Sequence, residues 1–159
     1  MARLRDVCAA VGAENVRTYI ASGNVIFDSP LATRTVRDRL EAGILGEFGF
    51  AVDVLVLSAA ELSEVVKSNP FAQDDPRTLH VAFAFGDLDR DDVVKLEAIG
   101  PADEDAVAVV GRQIYMRLPH GFGGGGPQPG LVRGKMKPLV TIRTWRTVLR
   151  LNELAGANA

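Results

Sequence analysis

The chain has 159 residues, of which 47% are hydrophobic and 24% charged, a composition typical of a folded globular protein and not of a disordered one. Its formal net charge of −2 gives the whole chain no electrostatic attraction to nucleic acid or to an anionic membrane. No apolar run reaches the roughly 18 residues of a membrane span and the N-terminus does not resemble a signal peptide, so we expect a cytoplasmic protein with no membrane association.

The first elements along the chain are a helix and a hairpin. Four apolar residues at helical spacing, from Leu4 to Val11, predict a helix that Gly12 ends, with Cys8 as a core thiol. Since Cys8 is the one cysteine, no intrachain disulfide can form. Two β-rich runs, Val16–Ile20 and Val25–Phe27, then predict a hairpin across a two-residue Gly-Asn turn.

Two helices and a strand follow. The apolar stripe from Val36 to Phe48 predicts a helix over 33–48, in which Gly43 costs about 1 kcal/mol relative to Ala. The run F-A-V-D-V-L-V-L at Phe50–Leu57 predicts a strand buried on both faces. Ser58 and Glu61 form a capping box that opens the next helix.

After a polar break at 73–76, the second half again contains predicted strands and helices. Asp89 is expected to cap a helix, and the closing helix is expected from about 144 to 154. The other expected elements are a strand at 79–85, a hairpin of 106–110 with 114–118, a glycine-rich loop at 120–130, a poorly defined helix and a short strand at 139–142.

The order of these elements predicts an α+β fold with antiparallel sheets and helices packed on them. Both halves, 1–73 and 77–159, follow the βαββαβ order of a ferredoxin-like unit, except that the first half lacks its opening strand.

Two sequence motifs resemble a known bacterial family. The words R-T-Y-I-A-S-G-N-V-I-F-D-S at Arg17–Ser29 and T-x-R-T-W-R-T-V-L-R-L-N-E-L-A at Thr141–Ala155 are similar to the hairpin and closing helix of domain of unknown function 1697 (DUF1697). The resemblance implies a two-part α+β fold with ferredoxin-like halves, and it implies no activity.

The chain departs from the family pattern in two places. The resemblance implies an opening strand and Gly-rich turn, yet Met1 already lies in the approach to the first helix. We therefore expect either a truncated or mis-started chain, or another segment or subunit beside the neighbouring strands, including self-association at the open strand position. At Gly121–Gly130 the chain reads G-F-G-G-G-G-P-Q-P-G, where relatives have a basic, serine-bearing turn.

Motifs for catalysis, cofactors and metals are not recognisable in the sequence. Gly134-Lys135 is followed by Met136, which excludes a P-loop, and the glycine run at 121–126 is either a flexible loop or a phosphate cradle. His80 and His120 lack metal-ligand spacing, and the acidic run Asp87–Asp92 lacks the glycine and glutamate of a calcium loop. Ser22, Ser58 and Cys8 each have a structural role. We expect no catalytic residue, cofactor or metal.

The basic C-terminal segment is the strongest functional lead. Arg143, Arg146 and Arg150 fall at helical spacing i, i+3 and i+7, which predicts one basic helix face able to bind phosphates. The alternative is a solvated face that attracts the acidic run at 87–105. Exposed sheet aromatics could add base stacking, and the candidates are Tyr19, Phe27 and Tyr115.

Two functions follow as hypotheses. The first is a non-catalytic binding or interaction module with an unknown partner. The alternative is the binding of a phosphate-bearing ligand or a nucleic acid through Arg143, Arg146 and Arg150.

Overall fold

The computed structural model describes residues 1–98, 105–121 and 139–156. It confirms the α+β prediction, with two antiparallel sheets and helices packed against them. The described helices are α1 (Ala2–Ala10), α2 (Thr33–Phe48), α3 (Ala59–Lys67), α4 (Arg90–Glu97) and α5 (Trp145–Gly156). The described strands are β1 (Glu14–Tyr19), β2 (Asn24–Asp28), β3 (Leu79–Ala84), β4 (Ala106–Val110), β5 (Gln113–Arg117) and β6 (Val140–Thr144).

These elements fall into two compact units. The first unit comprises Met1–Ser63 and the described residues from Leu151 onward, and the second comprises the described residues of Glu64–Arg150. The division at 73 and 77 that the sequence suggests stays a prediction about which segments fold independently. None of the helices in the described ranges is long and apolar enough to cross a membrane.

The core of the first unit lies between α1 and α2. The buried cluster there includes Val7 and Cys8 of α1 and the predicted stripe Val36, Leu40 and Ile44 of α2. Gly43 lies where α1 packs closely on α2, because a Cβ built on it would lie 2.8 Å from Val7 Cγ1. The glycine that weakens α2 as an isolated helix is therefore the residue that lets α1 pack against it.

The predicted hairpin is present, but its turn differs from the prediction. Tyr19 pairs with Asn24, so the loop is the four residues from Ile20 to Gly23 and Asn24 already belongs to β2. The Asn24 side chain donates to Tyr19 O (3.3 Å) and to Ser22 Oγ (2.8 Å). These bonds hold Asn24 at the strand end, which is why the two-residue Gly-Asn turn was wrong.

The strand predicted at Phe50–Leu57 is not formed. The segment belongs to no ladder in the described residues, and Phe50 and Val52 are 58% and 42% exposed. Val54 and Val56 nevertheless pack against the core cluster of the first unit. High β-propensity describes a good fit to a sheet surface, and without a neighbouring strand to bond to, it does not produce a ladder.

The second unit contains a four-stranded sheet in the order β4-β5-β3-β6, with all neighbours antiparallel. This is the strand order of a ferredoxin-like unit, with its first strand, β3, in the interior. Every residue of β3 is buried. On one face Ala82 lies opposite Ile114 and Ile142, in a core cluster that includes Leu96 of α4.

Local signals in this unit behave as the sequence predicts. Asp89 accepts a hydrogen bond from Asp91 N (2.8 Å) at the start of α4. Gly111, at positive φ, and Arg112 join β4 to β5, as expected of a tight hairpin loop. The glycine-rich loop beyond Gly121 and the poorly defined helix lie outside the described residues.

Candidate functional site

The three predicted arginines do not share one helix face. Arg143 lies in β6, where it is the neighbour of Val81 of β3, and α5 begins only at Trp145. The helix start is fixed by Thr144, whose Oγ1 accepts from Thr147 N (3.3 Å) in the manner of an N-cap. The prediction that Arg143 belongs to the helix face was therefore wrong.

The surroundings of Arg143 are those of a packed side chain. Its Nη1 donates to Thr141 Oγ1 and to Ile142 O, both at 2.8 Å. Burial lowers the pKa of this guanidinium below its ordinary value, yet arginine stays charged at any physiological pH. Arg143 is thus positioned by strand contacts and is only half-exposed.

Arg146 and Arg150 do lie together on α5. Both are exposed, and a spacing of four residues places them on the same side of the helix. Trp145 and Val148 are buried, so α5 is amphipathic. Arg146 lies in the first turn, where the free N–H groups and the helix dipole favour an anion over a cation.

The aromatic residues predicted for base stacking are differently placed. Tyr115 is 1% exposed, and its hydroxyl donates to Val65 O at 2.9 Å. Burial raises its pKa to about 12. Tyr19 and Phe27 are half-buried, and Phe27 packs against the core of the first unit. Tyr115 is therefore closed to a stacked base in this conformation.

The described residues of the acidic run contact groups that lie close by in the chain or in the same sheet. Asp87 pairs with Arg112 (2.8 Å), Asp92 pairs with Lys95 (3.6 Å), and Asp89 caps α4. These contacts are mostly exposed and individually worth little. These contacts show that part of the acidic run serves as a helix cap and part as exposed, solvated charge.

The residues considered as nucleophiles or metal ligands lie in surroundings that account for them by structural roles. Cys8 is fully buried, and burial raises the pKa of its thiol, which makes it unreactive. Ser58 Oγ and the Glu61 carboxylate form the predicted capping box, with Ser58 N donating to Glu61 Oε2 at 2.7 Å. His80 is buried in β3 and His120 is exposed. In the described ranges, no group of three His, Cys, Asp or Glu side chains is placed to hold a metal ion.

The residues that sequence reasoning missed lie in the first unit. Ile20 has φ of +51° and is 53% exposed, an unusual backbone for a β-branched residue. Phe50 and Val52 are exposed where a buried strand was expected. The ring of Phe50 lies 6.0 Å from that of Phe48, which is half-buried and packs against the core of the first unit. A sequence signal for the exposure of Phe50 and Val52 would have been a run of alternating apolar residues that has no partner strand with which to form a ladder.

Comparison with known proteins places the chain in a family. A family model described as "Protein of unknown function (DUF1697)" matches residues 1–115. The chain is similar in fold to a solved structure, the conserved bacterial protein SP0830 from Streptococcus pneumoniae, with 19% sequence identity and a TM-score of 0.73. That match covers 98% of this chain and 88% of the other. A search of the curated proteins finds no match.

Proposed function

Because the chain belongs to the DUF1697 family of proteins of unknown function, we propose from its own geometry that it is a non-catalytic binding module. It engages another protein through the exposed apolar side chains of the first unit. The observation that carries this proposal is the segment Phe50–Leu57, which exposes Phe50 and Val52 although its sequence is that of a buried strand.

Two further observations support a binding surface at this place. Leu45, near the end of α2, is 51% exposed, and Phe48 and Phe50 are in ring contact. Arg3 covers Phe48, with its guanidinium carbon 4.6 Å from the ring centroid. Aromatic residues and arginine are among the residue types enriched at protein interfaces.

Site-specific photo-cross-linking in cells tests this function. A photoreactive benzoylphenylalanine replaces Phe50, and a matched control carries it in place of Val94, which is 59% exposed in the second unit. We expect one discrete adduct from position 50, with a protein identified by mass spectrometry, that is lost when V52D is added. Equal adducts from positions 50 and 94, or none from position 50, would overturn the proposal.

A second candidate function is the binding of a phosphate-bearing ligand or a nucleic acid. Arg146 and Arg150 favour it, since they are exposed on one side of α5 and Arg146 lies at the end of the helix that attracts anions. Arg143 is retained as a third contact from the adjoining strand. On a single strand, three phosphate contacts give a binding constant that falls roughly as the second power of salt concentration.

Retention on a single-stranded oligonucleotide and on a phosphate-bearing resin tests this candidate. R146E/R150E should lower retention by about tenfold or more, and R143E should lower it further. The control R34E/R39E makes the same charge change at two exposed arginines of α2. Equal losses in both double variants would show general charge attraction and would refute a defined site.

We also infer a cytoplasmic location. The sequence has one cysteine and so lacks the disulfide framework that is common in small secreted domains. Cell fractionation, with the protein recovered in the cytosolic fraction, is the corresponding measurement.

A further inference from the structure

The strand β4 lies at one end of the sheet of the second unit, and among the described strands its ladder neighbour is β5. Gly111 and Arg112 form the loop between the two strands, so Val110 lies opposite Gln113 at the closed end of the hairpin. The pair that flanks a two-residue hairpin loop exchanges hydrogen bonds, and such pairs alternate with non-bonded pairs along the ladder. Every second residue of β4 therefore directs its backbone groups away from β5.

The bonding of β5 to the interior strand β3 identifies the residues of β4 that face outward. Arg112 O accepts from Ala84 N of β3 at 2.9 Å, so the even-numbered residues along β5 bond to β3. Because the backbone groups of successive residues point to opposite sides of a strand, the odd-numbered residues of β5 bond to β4. The outer edge of β4 thus presents the N–H and C=O groups of Val107 and Val109.

One of these outward groups has an acceptor on a neighbouring helix. Val109 N donates to Oε1 of Glu97, the last residue of α4, at 3.4 Å. The bond is long and Glu97 is exposed, so replacing it by a bond to water changes the free energy little. The carboxylate nevertheless competes with the carbonyl of any incoming strand for this N–H. Glu97 therefore weakens pairing at the edge of β4 without closing it.

The sequence of β4 fits an antiparallel copy of itself. The strand reads A-V-A-V-V at Ala106–Val110, with no proline and no charge, the residues that commonly prevent pairing between strand edges. Val110, at its end, is 41% exposed. Directly outside the strand the chain carries opposite charges, Asp105 before it and Arg112 beyond the turn. An antiparallel pair of such strands brings opposite charges together at both ends.

We propose that two copies of the chain associate by antiparallel pairing of their β4 strands about a two-fold axis at Ala108, and that Glu97 weakens this association. A strand of five residues buries much less area than a stable interface, so the pairing is reversible and grows with protein concentration. This inference goes beyond the proposed function, since β4 lies in the second unit and Phe50 lies in the first.

The register follows from the backbone. With Ala108 at the axis, Val107 lies opposite the partner's Val109, and the outward N–H and C=O groups of both strands are bonded. A shift of one residue would bring outward groups opposite groups already bonded to β5. A shift of two residues would overlap fewer of the five residues of β4. The central register is therefore the one that pairs the whole strand.

The charges agree with this register. Asp105 lies opposite the partner's Gly111 and next to the partner's Arg112. Within its own chain Arg112 pairs with Asp87 through Nε, and a guanidinium has further donors for a second carboxylate. The two-fold axis creates this contact twice, once at each end of the paired strands.

Disulfide trapping tests the register. A108C places two thiols opposite each other in a non-hydrogen-bonded pair, whose Cα atoms are about 4.5 Å apart in an antiparallel ladder, within the range of a disulfide. The control V110C carries its thiol at a more exposed position of the same strand, but the two copies of that thiol lie about 13 Å apart along the paired strands. Because Cys8 is buried, dimers that form on mild oxidation report the introduced thiol.

We expect A108C to form disulfide-linked dimers about tenfold faster than V110C or more, because its thiols have the higher effective concentration. Equal rates, or faster trapping of V110C, would overturn the pairing of β4 about Ala108. Circular dichroism of both variants confirms that the compared chains are folded.

Sedimentation equilibrium of the full chain tests the role of Glu97. E97A removes the acceptor of Val109 N and should lower the dissociation constant of the dimer by about tenfold, since each dimer breaks two such bonds. E97Q keeps a side-chain oxygen that accepts and should lower it less. The control D91A removes the same charge from another exposed residue of α4 and should leave it unchanged.

Two results would overturn the proposal. One is an E97A chain that keeps the monomer mass of 17.0 kDa up to millimolar concentration. The other is an equal change of the dissociation constant in E97A and D91A, which would show general charge repulsion. Both results are independent of the cross-linking at position 50, so the proposed function and this association stand or fall separately.

Discussion

The contact between Gly43 and Val7 makes a prediction whose sign differs from that of helix propensity alone. In an isolated helix, replacing Gly by Ala stabilises by about 1 kcal/mol. In this chain the new Cβ would lie 2.8 Å from Val7 Cγ1, well inside the 3.5–4.0 Å of an ordinary carbon contact. Something in the packing of α1 against α2 has to move.

The room for that movement is small. Val7 is 7% exposed, and a β-branched side chain in a helix has one strongly preferred rotamer. Overpacking of this kind costs about 1–3 kcal/mol. Set against the propensity gain of about 1 kcal/mol, G43A should therefore range from neutral to about 2 kcal/mol destabilising.

Gly46 provides the matched control on the same helix. A Cβ built there meets nothing within 4 Å, so G46A should stabilise α2 by about 0.5–1 kcal/mol. The two variants make the same chemical change three residues apart. The difference between them, about 1–3 kcal/mol in favour of G46A, isolates the contact with Val7.

The assay is urea unfolding followed by far-ultraviolet circular dichroism, with amide hydrogen exchange in α2. Exchange is needed because a chain of two compact units need not unfold in a single step. A double-mutant cycle with V7A completes the test, since G43A should become about as stabilising as G46A once Val7 Cγ1 is removed. If G43A stabilises as much as G46A while Val7 is present, the close-packing argument is wrong.

Three further predictions concern stability. S58A removes the capping-box acceptor of α3 and should cost about 1 kcal/mol, measured by exchange in that helix. Y115F removes the buried hydroxyl bond to Val65 O and should cost about 0.5–1.5 kcal/mol by urea unfolding, whereas an unchanged midpoint would show that the bond contributes nothing net. Burial lowers the pKa of His80 below its ordinary 6.5, so as the pH falls the unfolded chain binds a proton at this histidine before the folded chain does. The free energy of unfolding should therefore decrease as pH drops from about 7 toward 5. The decrease should be smaller in H80Q.

The parts of the fold that the sequence predicts correctly are those decided by local contacts. The stripe of Val36, Leu40 and Ile44 predicts α2 to its observed bounds, because helical spacing alone brings these residues together. The caps at Ser58 and Asp89 are equally local. Each depends on a side chain that reaches a backbone group two or three residues away.

The errors occur where an outcome depends on distant residues. Phe50–Leu57 has the composition of a strand, but a ladder also requires a neighbour, and no pattern within eight residues reports one. Arg143 was assigned to a helix face by spacing, whereas pairing with β3 keeps it in β6. Tyr115 was a candidate for stacking until the structure showed its hydroxyl bonded to Val65.

The candidate site was therefore only partly predictable. Exposure of Arg146 and Arg150 follows from amphipathic spacing around Trp145 and Val148. Exposure of Phe50 does not follow from any local rule, since the same side chain would be buried in a complete sheet. The exposure of Phe50 could be predicted only by asking which strand Phe50–Leu57 pairs with.

The hydrogen bond from Arg17 Nη2 to Leu154 O, at 3.1 Å, joins residues 137 positions apart. The hairpin of the first unit is thus completed by a helix that leaves the ribosome well after it. The hairpin of β1 and β2 lacks that contact until α5 has been synthesised. Non-local contacts of this kind form slowly. Until this contact has formed, the first unit should be exposed to proteases and to non-native strand pairing.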